Sequence, residues 1–261
     1  MISRFEQFVT GLGQRTISTV SGFGRYVMLV SNFFYWISRR PFRVRLIFRQ
    51  LEFVGNKSLG IIFLSALFTG AVLGLQVGKI FGIFKAEGLM GATTGKAMAL
   101  ELGPVMCGFI VTGRAGAAMA AEIGTMRVNE QIDAMEAMGV DPVSYLVVPR
   151  VFASVLMMPV LAAIFLFLGV IGCYILGLSI FHIDTMVFME NVRWLVWSSD
   201  IRKGLFKAAV FGFILSSIAC YKGFYARGGA KGVGEATTEA VVASLLSILI
   251  CDFFITYIQM R

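Results

Sequence analysis

Histidine appears once in this 261-residue chain, at His182, and that alone excludes a multi-histidine metal site. Cysteine is scarce as well. Cys107, Cys173, Cys220 and Cys251 sit singly inside apolar runs without C-x-x-C spacing, so they read as small buried hydrophobes, not as ligands or disulfides. The N-terminus lacks the compact basic, apolar and small-residue succession of a cleaved signal peptide. Acidic residues are nearly missing from positions 1–57, where nine Lys/Arg face only Glu6 and Glu52; this block supplies seven of the eight net positive charges. Repeated sets of spans are absent, which disfavours an inverted-repeat carrier. Clustered carboxylates and nucleophile motifs are absent from the apolar runs, which disfavours a membrane-embedded enzyme.

Apolar residues are what the chain does have. It is 57% hydrophobic, with a mean hydropathy of +0.81. A soluble domain of this length needs more polar surface than that leaves, so lipid is the solvent for much of the molecule. A basic N-terminal block beside apolar spans reads as cytoplasmic and drawn to anionic headgroups. The apolar bulk sets aside nucleic acid as a partner.

About 20 apolar residues carry a helix across the hydrocarbon core. Five stretches qualify: Ser58–Gly78 with room to reach Phe84, Gly88–Thr112, Val151–Phe181, Gly204–Tyr221 and Ala240–Met260. Lone charges interrupt three of them: Lys96 and Glu101 in the second, Lys207 in the fourth, Asp252 in the fifth. Tyr26–Ile37 is apolar and aromatic but too short to cross, bracketed by Arg25 and Arg39–Arg40. It reads as an amphipathic helix in the interface, with Pro41 turning the chain towards the membrane. The predicted fold is an all-α integral membrane protein: an N-terminal interfacial helix in a basic region over 1–56, then five transmembrane helices over 57–261. Placing the N-terminus in the cytoplasm puts Arg114, Arg127, Arg150, Lys222, Arg227 and Lys231 inside and the C-terminus outside, as the positive-inside rule requires.

The densest acidic segment, A-E-I-G-T-M-R-V-N-E-Q-I-D-A-M-E-A-M-G-V-D-P (121–142), then lies in the cytoplasm between spans two and three. It reads as a short helix over about 121–139. Val128, Ile132 and Met135 share one stripe, Glu130 and Asp133 point away, and Gly139 with Asp141–Pro142 stops it. Anionic headgroups repel such a helix, whereas the groove of a partner protein would accept it; a docking helix and a solvated connector are both open. In the first span Gly70, Gly74, Gly78 and Gly82 form a face that a neighbouring helix can approach closely. Leu73, Val77, Phe81 and Phe84 form an adjacent apolar stripe facing core, lipid or substrate.

Glu101, in A-L-E-L-G-P, is costly at membrane depth unless paired or hydrated, and Pro104 removes a backbone hydrogen bond beside it. It marks a cavity or a structural pair; Asp252 raises the same question. A proton-coupled carrier using Glu101 and Asp252 is the alternative these two residues allow. G-L-M-G-A-T-T-G-K-A imitates a phosphate loop but has Met90 where the first Gly belongs and Ala97 after the Lys. The Gly-rich 226–235 stretch also fails that pattern and reads as a flexible turn. The chain carries no nucleotide site of its own.

Four motifs, L-E-L-G-P-V (100–105), T-G-R-A-G-A-A-M-A-A-E-I-G-T-M-R (112–127), E-Q-I-D-A-M-E-A-M-G-V-D-P (130–142) and G-V-G-E-A-T-T-E-A-V-V (232–242), resemble the MlaE/YrbE family in this order. With V-L-G-L-Q (72–76), the resemblance covers about residues 45–258. The family comprises the permease subunits of MCE-associated ABC lipid transporters. The resemblance implies that 57–261 is a permease domain and that the 121–139 segment is a coupling helix seated in a separate cytoplasmic ATPase. Glu122, Arg127, Glu130, Asp133 and Glu136 would then make the coupling contacts. It also implies a homodimer in the bacterial inner membrane, a periplasmic MCE-domain protein and, in some systems, a STAS-domain regulator. ATP and Mg would be bound by the ATPase, with no cofactor in this chain. Phospholipid would lie between the two copies, against Leu73, Val77, Phe81, Phe84 and Glu101. Some members carry Arg just before this Glu; here Leu100 removes that cation, which leaves Lys96 and Lys79 as phosphate partners and Glu101 shaping substrate position. Glu239 likewise stands where relatives carry a basic residue.

Overall fold

The computed structural model describes residues 2–37, 39 and 43–260, and every regular element among them is helical. Helix α1 (Ile2–Ile37) precedes α2 (Val44–Val54), which runs through a kink at Gly55 into α3 (Asn56–Gly82). The second span is one helical column, Glu87–Val128, in which α4 (Met90–Ala97), α5 (Gly103–Val111) and α6 (Ala117–Val128) are joined by π-helical turns at Met98–Leu102 and Thr112–Gly116. Short α7 (Gln131–Ala137) follows, and a third π-turn, Val143–Val147, opens α8 (Val148–Ser179). The chain ends with α9 (Thr185–Leu195), α10 (Ser198–Phe224) and α11 (Gly229–Gln259).

Five of these helical runs are long and apolar enough to cross a membrane: Val44–Gly82, Glu87–Val128, Val143–Ser179, Ser198–Phe224 and Gly229–Gln259. They coincide with the five charge-poor stretches, but each helix outruns its apolar core. Helical hydrogen bonding continues past the hydrocarbon wherever the sequence tolerates it, whereas the apolar run ends where lipid ends. Most of the Gly-rich 226–235 stretch, expected to be a turn, belongs to α11. Only Ala226–Gly228 connects, with Gly228 and Gly229 left-handed at φ 93° and 66°.

Two expectations at the N-terminus need correction. The interfacial helix is 36 residues long, not a dozen, and a second, unanticipated helix, α2, follows it. The four glycines at 11, 13, 22 and 24 lower helix propensity and hid the first part of α1. Tertiary contacts outweigh that propensity. Leu29 and Phe33 are buried against Ile123, Val147 and Cys220. The Tyr26 and Ser217 hydroxyls are 2.9 Å apart, and Tyr221 donates to the Gly22 carbonyl at 2.8 Å. Burial raises the Tyr26 phenol above its ordinary pKa, partly offset by Ser217. The opposite face leaves Ile17, Val20, Phe23 and Met28 exposed, as befits a helix lying against acyl chains. Pro41 and Arg40 lie outside the described residues.

The core is centred on α8. Ile62 and Ala66 of α3, Met98, Cys107 and Val111 of the second span, Met158, Leu161 and Phe165 of α8, Phe211 and Leu215 of α10, and Ile248 of α11 form one buried cluster. Gly70 of α3 meets Gly169 of α8 so closely that a methyl group at residue 70 would overlap the Gly169 carbonyl. All four cysteines are free thiols, three of them buried.

Candidate functional site

Lone charges in three separate spans meet at one point. The π-turn Met98–Leu102 carries Glu101, and Pro104 follows at the start of α5. Gly204 on α10 lets that helix lie against the Ala99 carbonyl, where a Cβ would collide. That approach brings Lys207, one turn further along α10, to the carboxylate. Its ammonium donates to Glu101 Oε2 at 2.7 Å, to Asp252 Oδ1 at 3.1 Å and to the Thr256 hydroxyl at 2.7 Å. Thr256 Oγ1 lies 3.2 Å from Glu101 Oε1 and is tied to α11 through the Asp252 carbonyl. All three ammonium protons are used, so Lys207 is tolerated at 1% side-chain exposure, while Glu101 keeps 38%. Two carboxylates face one ammonium, which leaves the cluster with a formal charge of −1.

The expected apolar wall is divided. Leu73 packs against the main core, in the same cluster as Met98 and Leu102. Val77 belongs to a separate cluster with Met90, Cys173, Ile183 and Phe188. Phe81 is half-buried, and Phe84 is 73% exposed at the end of the helix. Gly70, Gly74 and Gly78 are all buried: Gly70 meets Gly169, Gly74 meets Cys173, and Gly78 meets Phe181 and Met90. Lys96 lies 3.8 Å from Asp200 in an ion pair, and Lys79 is exposed.

At the other end, the segment read as a single helix is two. Residues 121–128 complete the second span, Asn129 and Glu130 make the turn with Glu130 left-handed at φ 57°, and α7 is only seven residues long. Gly139, at φ 74°, closes it, and Asp141 accepts the Ser144 amide at 2.9 Å to start the third span. Ile132 pins α7 to the bundle beside Ile123, Val143 and Val147. Two ion pairs brace the joint: Arg127 to Asp133 at 2.5 Å, and Glu122 to the buried Arg150 at 3.0 Å. Arg150 also donates to the Leu146 carbonyl. Glu130 and Glu136 are exposed and form no ion pair among the described residues. A short helix rigidly tied to two spans, with outward carboxylates, can pass force from a partner into the bundle.

The family model described as Permease MlaE matches residues 47–258. The chain belongs to the MlaE permease family. A probable ABC transporter permease protein of Rickettsia felis is 42% identical over 245 residues, covering 94% of this chain and 95% of the relative. A probable ABC transporter permease protein of Synechocystis sp. is 42% identical over 212 residues, covering 81% of each. The intermembrane phospholipid transport system permease protein MlaE of Haemophilus influenzae is 35% identical over 255 residues, covering 97% of each.

Within this MlaE-family chain, Lys207, Arg150 and α9 were not singled out from sequence. Lys207 had a visible signal: it is the lone cation of the fourth span, opposite lone acids in the second and fifth. Arg150 stands at the foot of the third span, and only the fold reveals its pairing with Glu122. Helix α9 lies in a mixed-sign stretch that reads as a loop; Asp184 caps it by accepting the Met186 amide.

Proposed function

We propose that this chain is the permease subunit of an ABC transporter that moves phospholipid between the bacterial inner membrane and a periplasmic MCE-domain protein. Two copies of the chain enclose the lipid, and a separate cytoplasmic ATPase binds ATP and Mg and supplies the work. In some systems a STAS-domain protein accompanies the ATPase. The N-terminus is cytoplasmic and the C-terminus periplasmic. Helix α7 carries the reading. It projects Glu130 and Glu136 from a joint braced by Ile132, Arg127–Asp133 and Glu122–Arg150, a geometry suited to transmitting a push from below. The family match and the names of its relatives support the lipid cargo. Leu73, Val77, Phe81, Phe84 and Glu101 remain the residues we assign to the lipid path. Glu101 and Asp252 share the single ammonium of Lys207, an arrangement that favours a fixed structural cluster over a proton carrier.

The test is the double reversal Glu130→Lys with Glu136→Lys, which spares both bracing ion pairs. Removing charges from such an interface costs about 2 kcal/mol or more. ATPase co-purification and ATP-driven lipid transfer should both fall sharply while the permease still inserts. Unchanged association and transfer would reduce α7 to a solvated connector.

A further inference from the structure

A cavity of about 510 Å³ opens at the α7 end of the bundle, between α2, the foot of α3, α6 and the start of α8. It is separate from the Lys207 cluster and shares only the Glu122–Arg150 pair with the coupling joint. Arg49, Gln50, Glu52, Lys57, Glu122 and Arg150 supply its polar wall. Glu122 is held by Arg150, and Arg49 and Lys57 form no ion pair among the described residues, so the wall keeps one positive charge in excess. Two unpaired cations on one wall ask for an anion.

The position decides which anion. Helix α2 exposes Val44 and Phe48 beside the exposed Arg45 and Arg49. Apolar and cationic groups side by side on one short helix match the level where acyl chains meet headgroups. The cavity therefore opens at headgroup depth. We infer that it binds the phosphodiester of an anionic phospholipid from the leaflet on the α7 side, with the exposed Arg49 and Lys57 donating to the phosphate. A bound lipid would tie α2 to the foot of the third span beside the Glu122–Arg150 pair. This site requires only that the chain is embedded in a membrane, so it stands or falls independently of the transport reading.

The full-length chain, purified in detergent, is titrated with phosphatidylglycerol, phosphatidylcholine or inorganic phosphate. Lipid retained is counted by native mass spectrometry, and thermal unfolding is followed in parallel. Phosphatidylglycerol should be retained and should raise the unfolding temperature, while the other two should not. The double variant Arg49→Gln with Lys57→Gln alters two exposed side chains and should unfold as the parent does in phosphatidylcholine. Its affinity for phosphatidylglycerol should be about tenfold lower, as expected for losing charge-assisted bonds to a phosphate. Equal retention by parent and double variant would overturn the site, and equal protection by inorganic phosphate would overturn its assignment to lipid. Loss of phosphatidylglycerol on adding the partner ATPase would show that the cavity receives a protein side chain instead.

Discussion

At the scale of single residues, Lys207 is the most exposed to loss. Removing the ammonium leaves Glu101 and Asp252 facing each other at membrane depth without a counter-charge. Lys207→Met should therefore cost about 3–5 kcal/mol of stability, measured as thermal unfolding of the purified chain or as yield in the membrane. The triple change Lys207→Met, Glu101→Gln, Asp252→Asn should recover most of that, because a neutral cluster has no buried charge to compensate. A triple variant as unstable as the single one would mean that Lys207 acts through packing alone. The sequence made Glu101, Lys207 and Asp252 visible as charges inside apolar spans. It did not reveal their meeting, which depends on the close approach at Gly204 and on the π-turn at Glu101. The acids proposed for coupling show the opposite imbalance. All four were legible as one dense acidic segment, yet only the fold separates Glu122 and Asp133, held by Arg150 and Arg127, from the outward Glu130 and Glu136.

At the scale of elements, the glycine face of α3 packs closely at three of its four positions. Gly70, Gly74 and Gly78 recur every fourth residue, and all three are buried, each meeting a close neighbour. Gly70→Ala would place a methyl group into the Gly169 carbonyl and should destabilise the chain by about 1–3 kcal/mol, as overpacking does. Gly60→Ala, on the same helix with no neighbouring atom within reach, should be neutral or stabilising. Equal unfolding temperatures for the two variants would show that α3 and α8 separate freely. Elements without such regular spacing were harder to read. Helix α1 hides behind its glycines, α9 behind mixed charge, and the break at Asn129–Glu130 behind a run of good helix formers that a left-handed Glu130 interrupts.

At the scale of the whole molecule, five crossings put α1 and the end of α11 on opposite sides of the membrane. Arg114, Arg127, Arg150, Lys222, Arg227 and Lys231 all gather at the α7 end, so that end should face the cytoplasm. Three native cysteines are buried and Cys251 is partly so, which makes Cys251→Ser the background to use. Met186→Cys should then react with an impermeant thiol reagent from the periplasmic side, and Gln131→Cys only after the membrane is opened. The reverse pattern would invert the topology and remove α7 from any cytoplasmic partner. The number of spans and their centres were legible because lipid imposes an unbroken apolar length. Their true ends were not, because backbone hydrogen bonding has no reason to stop at the hydrocarbon boundary.

The three π-turns carry a consequence for descent. Each holds one residue more than an α-turn would, so losing one residue inside Met98–Leu102 would return the second span to plain α-helix with the faces beyond it in register. The same loss elsewhere in that span would swing every later side chain by about 100° and exchange its neighbours. Chain length can thus drift at these points over evolutionary time without scrambling the bundle. A lineage shortened at the first π-turn would keep its spans and give up only the reach of Glu101 towards Lys207.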